Sequence, residues 1–261
     1  MITMEHVKKS YKKRGGIFQT SSIEILSDVN LDIQDGDCMG IIGESGSGKS
    51  TLARILLGLE AYDDGVITMD GLPHKQWLKQ NKGKCSVVFQ DYRTSVNPNW
   101  TIKQILQEPF FLFNRSKPLT QNMKSSIHVL MERVELPIHY LEKYPHELSG
   151  GQLQRVCIAR ALSTHPKYLI LDEAISSLDV SVQSQILLLL KELQEEYNLT
   201  YVFIAHDLQA VAYLCNRLAF LRDGRIIEQL DCNHFTCAQS DYVNELLDSV
   251  LPFQSSYIHQ T

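Results

Sequence analysis

Apolar and polar positions alternate first at a period near two. Ile2 to Val7 alternates imperfectly, and Ile23 to Ile33 carries Val29, Leu31 and Ile33 at period two before the turn signal Asp35-Gly36, so two strands are predicted. The polar stretch Lys12-Lys13-Arg14-Gly15-Gly16 between them reads as a hairpin connection or a long loop. Cys38 to Ile42 is a short continuous apolar run of buried-strand type. After a glycine-rich loop, Leu52, Ile55, Leu56 and Leu59 fall at the i, i+3, i+4, i+7 spacing of a helix. Val66 to Met69 followed by Asp70-Gly71, and then Cys85 to Phe89, predict two more strands.

From Asp91 to about Leu162 the pattern is helical and is broken by Pro98, Pro109, Pro118, Pro137 and Pro145, with no strand signal between them. Strand texture returns at Tyr168 to Asp172. A helix follows with Ile186, Leu189, Leu190, Leu193 and Tyr197 on one face, then a strand at Tyr201 to Ala205, a further helix, and a hairpin folded at Asp223-Gly224. Strands alternating with helices predict an α/β protein whose sheet is largely parallel and covered on both faces.

Composition narrows the class. A chain of 261 residues with 44% hydrophobic and 21% charged residues supports a packed core without staples. The longest purely aliphatic stretch, Ile186 to Leu190, falls far short of the roughly 18 residues of a membrane span. Net charge is -5, from 25 basic against 30 acidic residues, which disfavours nucleic acid as a partner. Met1 to Tyr11 lacks the signature of a secretory signal, so the cytoplasm is expected. Cys38, Cys85, Cys157, Cys215, Cys232 and Cys237 form no C-x-x-C pair and read as reduced, mostly buried residues.

Three segments carry chemistry. Gly43-Glu44-Ser45-Gly46-Ser47-Gly48-Lys49-Ser50, with Thr51 next, matches G-x-x-x-x-G-K-[ST]. Its glycines let backbone N–H groups converge on phosphate oxygens, Lys49 reaches the β- and γ-phosphates, and the Ser50 hydroxyl suits Mg²⁺. The strand Tyr168 to Asp172 ends in Asp172-Glu173, one acid placed for Mg²⁺ and the other for polarising an attacking water. Leu148-Ser149-Gly150-Gly151-Gln152 starts a second glycine-rich helix with Ser149 as a natural N-cap. A second phosphate-directed helix start implies a second nucleotide, or one shared with another copy.

With these motifs in this order, the chain resembles the ATPase subunits of ABC transporters from about residue 2 to residue 252. The resemblance implies a P-loop NTPase (RecA-like) core with a small antiparallel β subdomain and an inserted α-helical subdomain. The core with its β subdomain would occupy 1–90 and 162–230, the helical insert 91–161, and a short tail 231–261. It further implies that Tyr11 stacks on adenine and that Gln90 touches Mg²⁺ and water. Ser149, Gly150, Gly151 and Gln152 would bind the γ-phosphate of ATP held by a partner subunit, Asp179 would lie at the dimer seam, and His206 would sense the γ-phosphate.

Within the family, Phe89-Gln90-Asp91 with Thr94 to Pro98, and Tyr144 to Glu147, are similar to the ATPases of nickel, oligopeptide and dipeptide importers. Asp172-Glu173-Ala174-Ile175-Ser176 and Gln152 to Cys157 resemble the nickel-importer form, and Tyr242 to Leu247 with Pro252 resembles that group's ending. A site made from Cys232 and Cys237 is not expected, because two cysteines cannot ligate a cluster alone. The resemblance implies an ATP- and Mg²⁺-dependent subunit on the cytoplasmic face of the membrane. It would work with two permease subunits, a sister ATPase or a second copy of itself, and an extracytoplasmic binding protein. Nickel or a metal–chelator complex is the first expected cargo and a short peptide the second. A soluble ABC ATPase acting on nucleic acid or ribosomes, and an export or lipoprotein-release ATPase, are the weaker alternatives.

Overall fold

The computed structural model describes residues 1–15, 19–113, 121–232 and 239–250. In chain order the first elements are strands β1 (Ile2–Gly15), β2 (Gln19–Ile33) and β3 (Cys38–Ile42), helix α1 (Lys49–Leu56), β4 (Asp64–Met69), β5 (Leu72–Pro73), α2 (His74–Gln80) and β6 (Cys85–Phe89). Then come α3 (Ile102–Phe113), α4 (Gln121–Arg133), two 3-10 helices (Ile138–Glu142 and Pro145–Glu147), α5 (Gly150–Leu162), β7 (Tyr168–Asp172), α6 (Val180–Tyr197) and β8 (Thr200–Ile204). The last are α7 (Leu208–Leu214), β9 (Arg217–Arg222), β10 (Arg225–Asp231) and α8 (Asp241–Val250).

The chain divides into two compact units, Met1–His74 with Phe203–Thr261 and Lys75–Val202. In the first, strands run in the order β5-β4-β1-β2-β10-β9-β3. β1 pairs antiparallel with β2 and β4, β9 antiparallel with β10, while β10 joins β2 and β3 joins β9 in parallel. The sheet is therefore mixed here, because hairpins rather than helical crossovers make most of its connections. Two of those hairpins turn on Asp70-Gly71 and Asp223-Gly224, where both residues of each pair have positive φ. That is the type I′ geometry whose twist matches the strands, and Asp-Gly tolerates it.

The stretch from Lys12 to Gly15 is strand, not loop, since it pairs residue by residue with Gln19 to Ser22; Gly16 lies outside the described residues. Helix α1 ends at Leu56, one turn before the apolar spacing does. Gly58 takes φ +70, and Leu59 stands 66% exposed.

The second unit holds β7 and β6, which are parallel, and β8 as far as Val202, in the order β8-β7-β6. The inner strands are continuous apolar runs because both faces are covered: Tyr168, Leu169, Ile170 and Leu171 are all buried. Between residues 91 and 161 the described residues are helical or irregular, without strand. Pro109 lies inside α3 rather than breaking it, whereas Pro137 and Pro145 do stand at the starts of the two 3-10 helices. The compact units cut the chain at 74/75 and 202/203, so β6, β7 and α6 group with the helical stretch. No helix among the described residues is long and apolar enough to cross a membrane.

Candidate functional site

In the first unit the buried strand β3 runs directly into the phosphate-loop motif. A Cβ on Gly43 would lie 2.1 Å from the Leu221 carbonyl oxygen, so only glycine lets the loop pass the end of β9. Gly48 takes φ +108 and hands over to α1, whose first turn receives no side-chain cap. The dipole of that helix end, reached through a glycine-rich loop, makes it an anion site. Lys49 is buried, its Nζ donating to the carbonyls of Gly43 (2.7 Å) and Glu44 (2.8 Å), so its charge is held over the loop. The Ser47 hydroxyl is buried with no hydrogen-bond partner. A positive charge, the positive end of a helix and an unpaired hydroxyl converge here, and they fit a polyphosphate.

Tyr11 lies on β1 opposite Ile23, and both side chains are exposed. Lys9 Nζ sits 5.3 Å from the Tyr11 ring centre. Burial, then a hydrogen bond with Glu60, raises the phenol's pKa, while a bond with Thr51 opposes them. The aromatic ring is thereby tethered to the first turn of α1. His206 is exposed just beyond β8, and Asp207 caps α7 by accepting from the N–H groups of Gln209 (2.8 Å) and Ala210 (3.4 Å).

In the second unit Phe89 of β6 is the register partner of Asp172 of β7, so Gln90 and Glu173 leave neighbouring strands side by side. Gln90 Nε2 donates to Ser176 Oγ (3.4 Å), and Ser177 Oγ donates to the Gln90 carbonyl (3.5 Å). Asp172 and Glu173 are half-buried. Glu173 has φ +50, a left-handed backbone that costs a non-glycine residue about 1 kcal/mol and has to be imposed by its surroundings.

Ser149 caps α5 through a capping box: its Oγ accepts from Gln152 N (3.3 Å), and Gln152 Oε1 accepts from Ser149 N (3.0 Å). The two glycines that follow have steric reasons to be glycine. A Cβ on Gly150 would meet Tyr92 Oη at 2.6 Å, and one on Gly151 would meet Val182 Cγ1 at 2.5 Å. Asp179 caps α6, accepting from Val182 N (3.0 Å) and Ser181 Oγ (2.7 Å), and the Ser181 bond holds its carboxyl below the usual range.

Sequence reading passed over three side chains that hold these segments. Gln154, fully buried, donates from Nε2 to the Ala174 carbonyl at 2.6 Å, and Gln183 Nε2 donates to the carbonyls of Ile175 (3.1 Å) and Leu178 (3.0 Å). Tyr92 packs on Gly150. The available signal was an amide between Leu153 and the apolar positions Val156 to Ile158, since a polar group among core positions has to be there for a partner. Among the described residues no group of three or more His, Cys, Asp or Glu side chains could hold a metal by itself. Cys237 lies outside the described residues. Burial pushes the Cys232 thiol up to about 12, away from the thiolate a metal needs.

Residues 26–176 match the family model described as ABC transporter. The chain is 42% identical over 254 residues to the metal-staphylopine import system ATP-binding protein of Staphylococcus aureus, covering 97% of this chain and 100% of that protein. It is 38% identical over 235 residues to an oligopeptide transport ATP-binding protein of Bacillus subtilis, covering 87% of this chain and 71% of that one. A dimeric ATP-binding cassette solved in a post-hydrolysis state with ADP and Pi matches with a TM-score of 0.77 at 30% identity, over 89% of this chain and 99% of that structure. The chain belongs to the ABC transporter family. It is an ATP-binding, ATP-hydrolysing subunit of the importer group of that family.

Proposed function

We propose that this chain powers uptake of a metal bound to an organic chelator, nickel being one such metal, from the cytoplasmic face of the membrane. The observation that carries the cargo is the 42% identity, over nearly the whole chain, to an ATPase named for metal-staphylopine import. The identity of 38% to an oligopeptide ATPase keeps a short peptide as the second reading. The partners in this proposal are two permease subunits, a sister ATPase or a second copy of this chain, and an extracytoplasmic binding protein that selects the cargo.

In the proposed mechanism the core at 1–90 and 162–230 binds nucleotide, and the helical insert at 91–161 presents the second phosphate contact. Tyr11 stacks on adenine. The N–H groups of the loop from Gly43 to Thr51 cradle the phosphates while Lys49 neutralises them. Ser50, Gln90 and Asp172 would hold Mg²⁺, a cation that needs few protein carboxylates, so a dedicated cluster of acids is unnecessary, and it would supply charge neutralisation at the phosphates. Glu173 polarises the water, and His206 reads the γ-phosphate. Ser149, Gly150, Gly151 and Gln152 close on ATP held by the partner, with Asp179 at the seam, so binding joins the subunits and hydrolysis releases them. Positioning supplies most of the rate.

The test is purification of the tagged chain from membranes of its own cells, with metal and peptide analysis of the binding protein that accompanies it. Recovery of a permease pair and a binding protein carrying a chelated metal is the expected result. A peptide-loaded binding protein would replace the cargo assignment. Recovery of ribosomes without a permease would overturn the partner set.

A further inference from the structure

The segment from Glu173 to Leu178 has no regular structure, yet the backbone carbonyls of Glu173, Ala174, Ile175 and Leu178 are engaged. The Glu173 carbonyl accepts from Ser176 N (3.1 Å) and Ser176 Oγ (3.0 Å), and those of Ile175 and Leu178 accept from Gln183 of α6. The carbonyl of Ala174, the residue directly after Glu173, is held from α5. Its donor is Gln154 Nε2 at 2.6 Å, on a side chain with no exposed surface, and Gln154 Oε1 has no hydrogen-bond partner. An amide buried with half its capacity unused costs stability, which argues that its one bond is the reason for its place.

Gln154 lies four residues after Gly150 and three after Gly151, on the same helix face. That face also meets the segment and the helix that follows it, since a Cβ on Gly150 would stand 3.6 Å from Leu178 Cδ2 and one on Gly151 2.5 Å from Val182 Cγ1 of α6. The start of α5 and the strained Glu173 therefore belong to one packed body, with a single buried hydrogen bond reaching the peptide next to the carboxylate.

We propose that Gln154 is a positioning residue for Glu173, tying the helix start that meets the partner's γ-phosphate to the loop that carries this chain's own catalytic carboxylate. The inference rests on the roles proposed above for Glu173 and for Ser149 to Gln152. Movement of α5 on engaging the partner's nucleotide reaches Glu173 through the Ala174 carbonyl. Gln154 touches no substrate and acts only through the backbone.

The experiment is single-turnover hydrolysis, with the protein in excess over ATP, for Gln154→Met and Gln154→Leu, both close in volume and unable to donate. The rate constant is expected to fall about ten- to hundredfold, the scale for a misplaced catalytic group, with ATP affinity within about twofold of wild type. A role confined to folding would leave the rate constant alone, because folded protein still in saturating excess turns ATP over at the wild-type rate, so a partly unfolded variant remains informative. Wild-type rate constants in both variants would overturn the inference. Glu173→Gln in the same assay separates the two readings: if it hydrolyses normally the catalytic assignment fails, whereas if it is inactive and the Gln154 variants are not, only the tie fails.

Discussion

Tyr11 shows how little a single exposed ring says until its neighbours are known. Its hydroxyl interacts with Glu60 beyond α1 and with Thr51 in the first turn of that helix, so the exposed ring stands beside the end of the phosphate loop. If the ring stacks on adenine, Tyr11→Ala should raise the Kd for ATP about tenfold, from the 1–3 kcal/mol that a base–aromatic stack contributes. Tyr11→Phe should stay near wild type. Titration with a fluorescent ATP analogue reads both, and equal losses in the two variants would assign the effect to the hydroxyl's tether instead. Glu173 makes the complementary case. Its carboxylate could be named from Asp172-Glu173 after an apolar strand, but its left-handed backbone could not, because the carbonyls of the turn it enters are bonded by Ser176, Gln154 and Gln183, outside the acidic pair.

Helix starts decide the behaviour of elements in this chain, and most could be read before the fold. Ser149, Asp179 and Asp207 each cap the helix that follows them, as their short polar side chains predict. Ser149→Arg would remove the cap and place a long cation where a partner's phosphate is proposed to sit. Hydrolysis is expected to be lost while this chain's own ATP binding stays within about threefold of wild type, given about 1 kcal/mol for a lost cap. Equal loss of binding, measured by calorimetry, would refute the shared-site arrangement.

What the sequence concealed at this scale was pairing. Nothing local says that Lys12 continues a strand, because the pairing partner at Ser22 is ten residues away; nor does a proline show that α3 will tolerate it at Pro109. The parallel join of β9 to β3 was equally hidden. It is braced by Arg217, whose guanidinium bonds Asp32 and Asp37, both at 3.0 Å, and holds the Asp32 carboxyl below its usual range. A depressed carboxylate contributes stability above its unfolded pKa of about 3.9 and loses it as pH falls through the folded value. Asp32 is half-exposed, so solvent screening limits the bridge to about 1 kcal/mol or less. Arg217→Met should therefore unfold at a slightly lower temperature at pH 7, with the gap closing below about pH 3.9 as Asp32 protonates. A gap independent of pH would mean that the arginine's packing, not its charge, supports the strand.

At the scale of the whole molecule, the proposed arrangement makes one chain insufficient: the loop at Gly43 to Ser50 and the helix start at Ser149 serve different nucleotides. This separates two kinds of damage. Lys49→Ala removes the cation held by the Gly43 and Glu44 carbonyls and spoils the chain's own phosphate site, leaving its Ser149 end intact. Ser149→Arg does the reverse. Each variant alone should be inactive, yet in a mixed pair the good loop of one meets the good helix start of the other and restores one site of two. With random pairing half the dimers are mixed, so an equal mixture should recover roughly a quarter of wild-type turnover, as the symmetry of an isologous dimer requires. Recovery should increase with protein concentration, because the pair must first form. Absence of recovery, with each variant still supporting partial hydrolysis beside a second ATPase from its own cells, would show that the chain pairs with a related partner instead of itself. The same assay thus establishes whether two sites are shared and which chains share them.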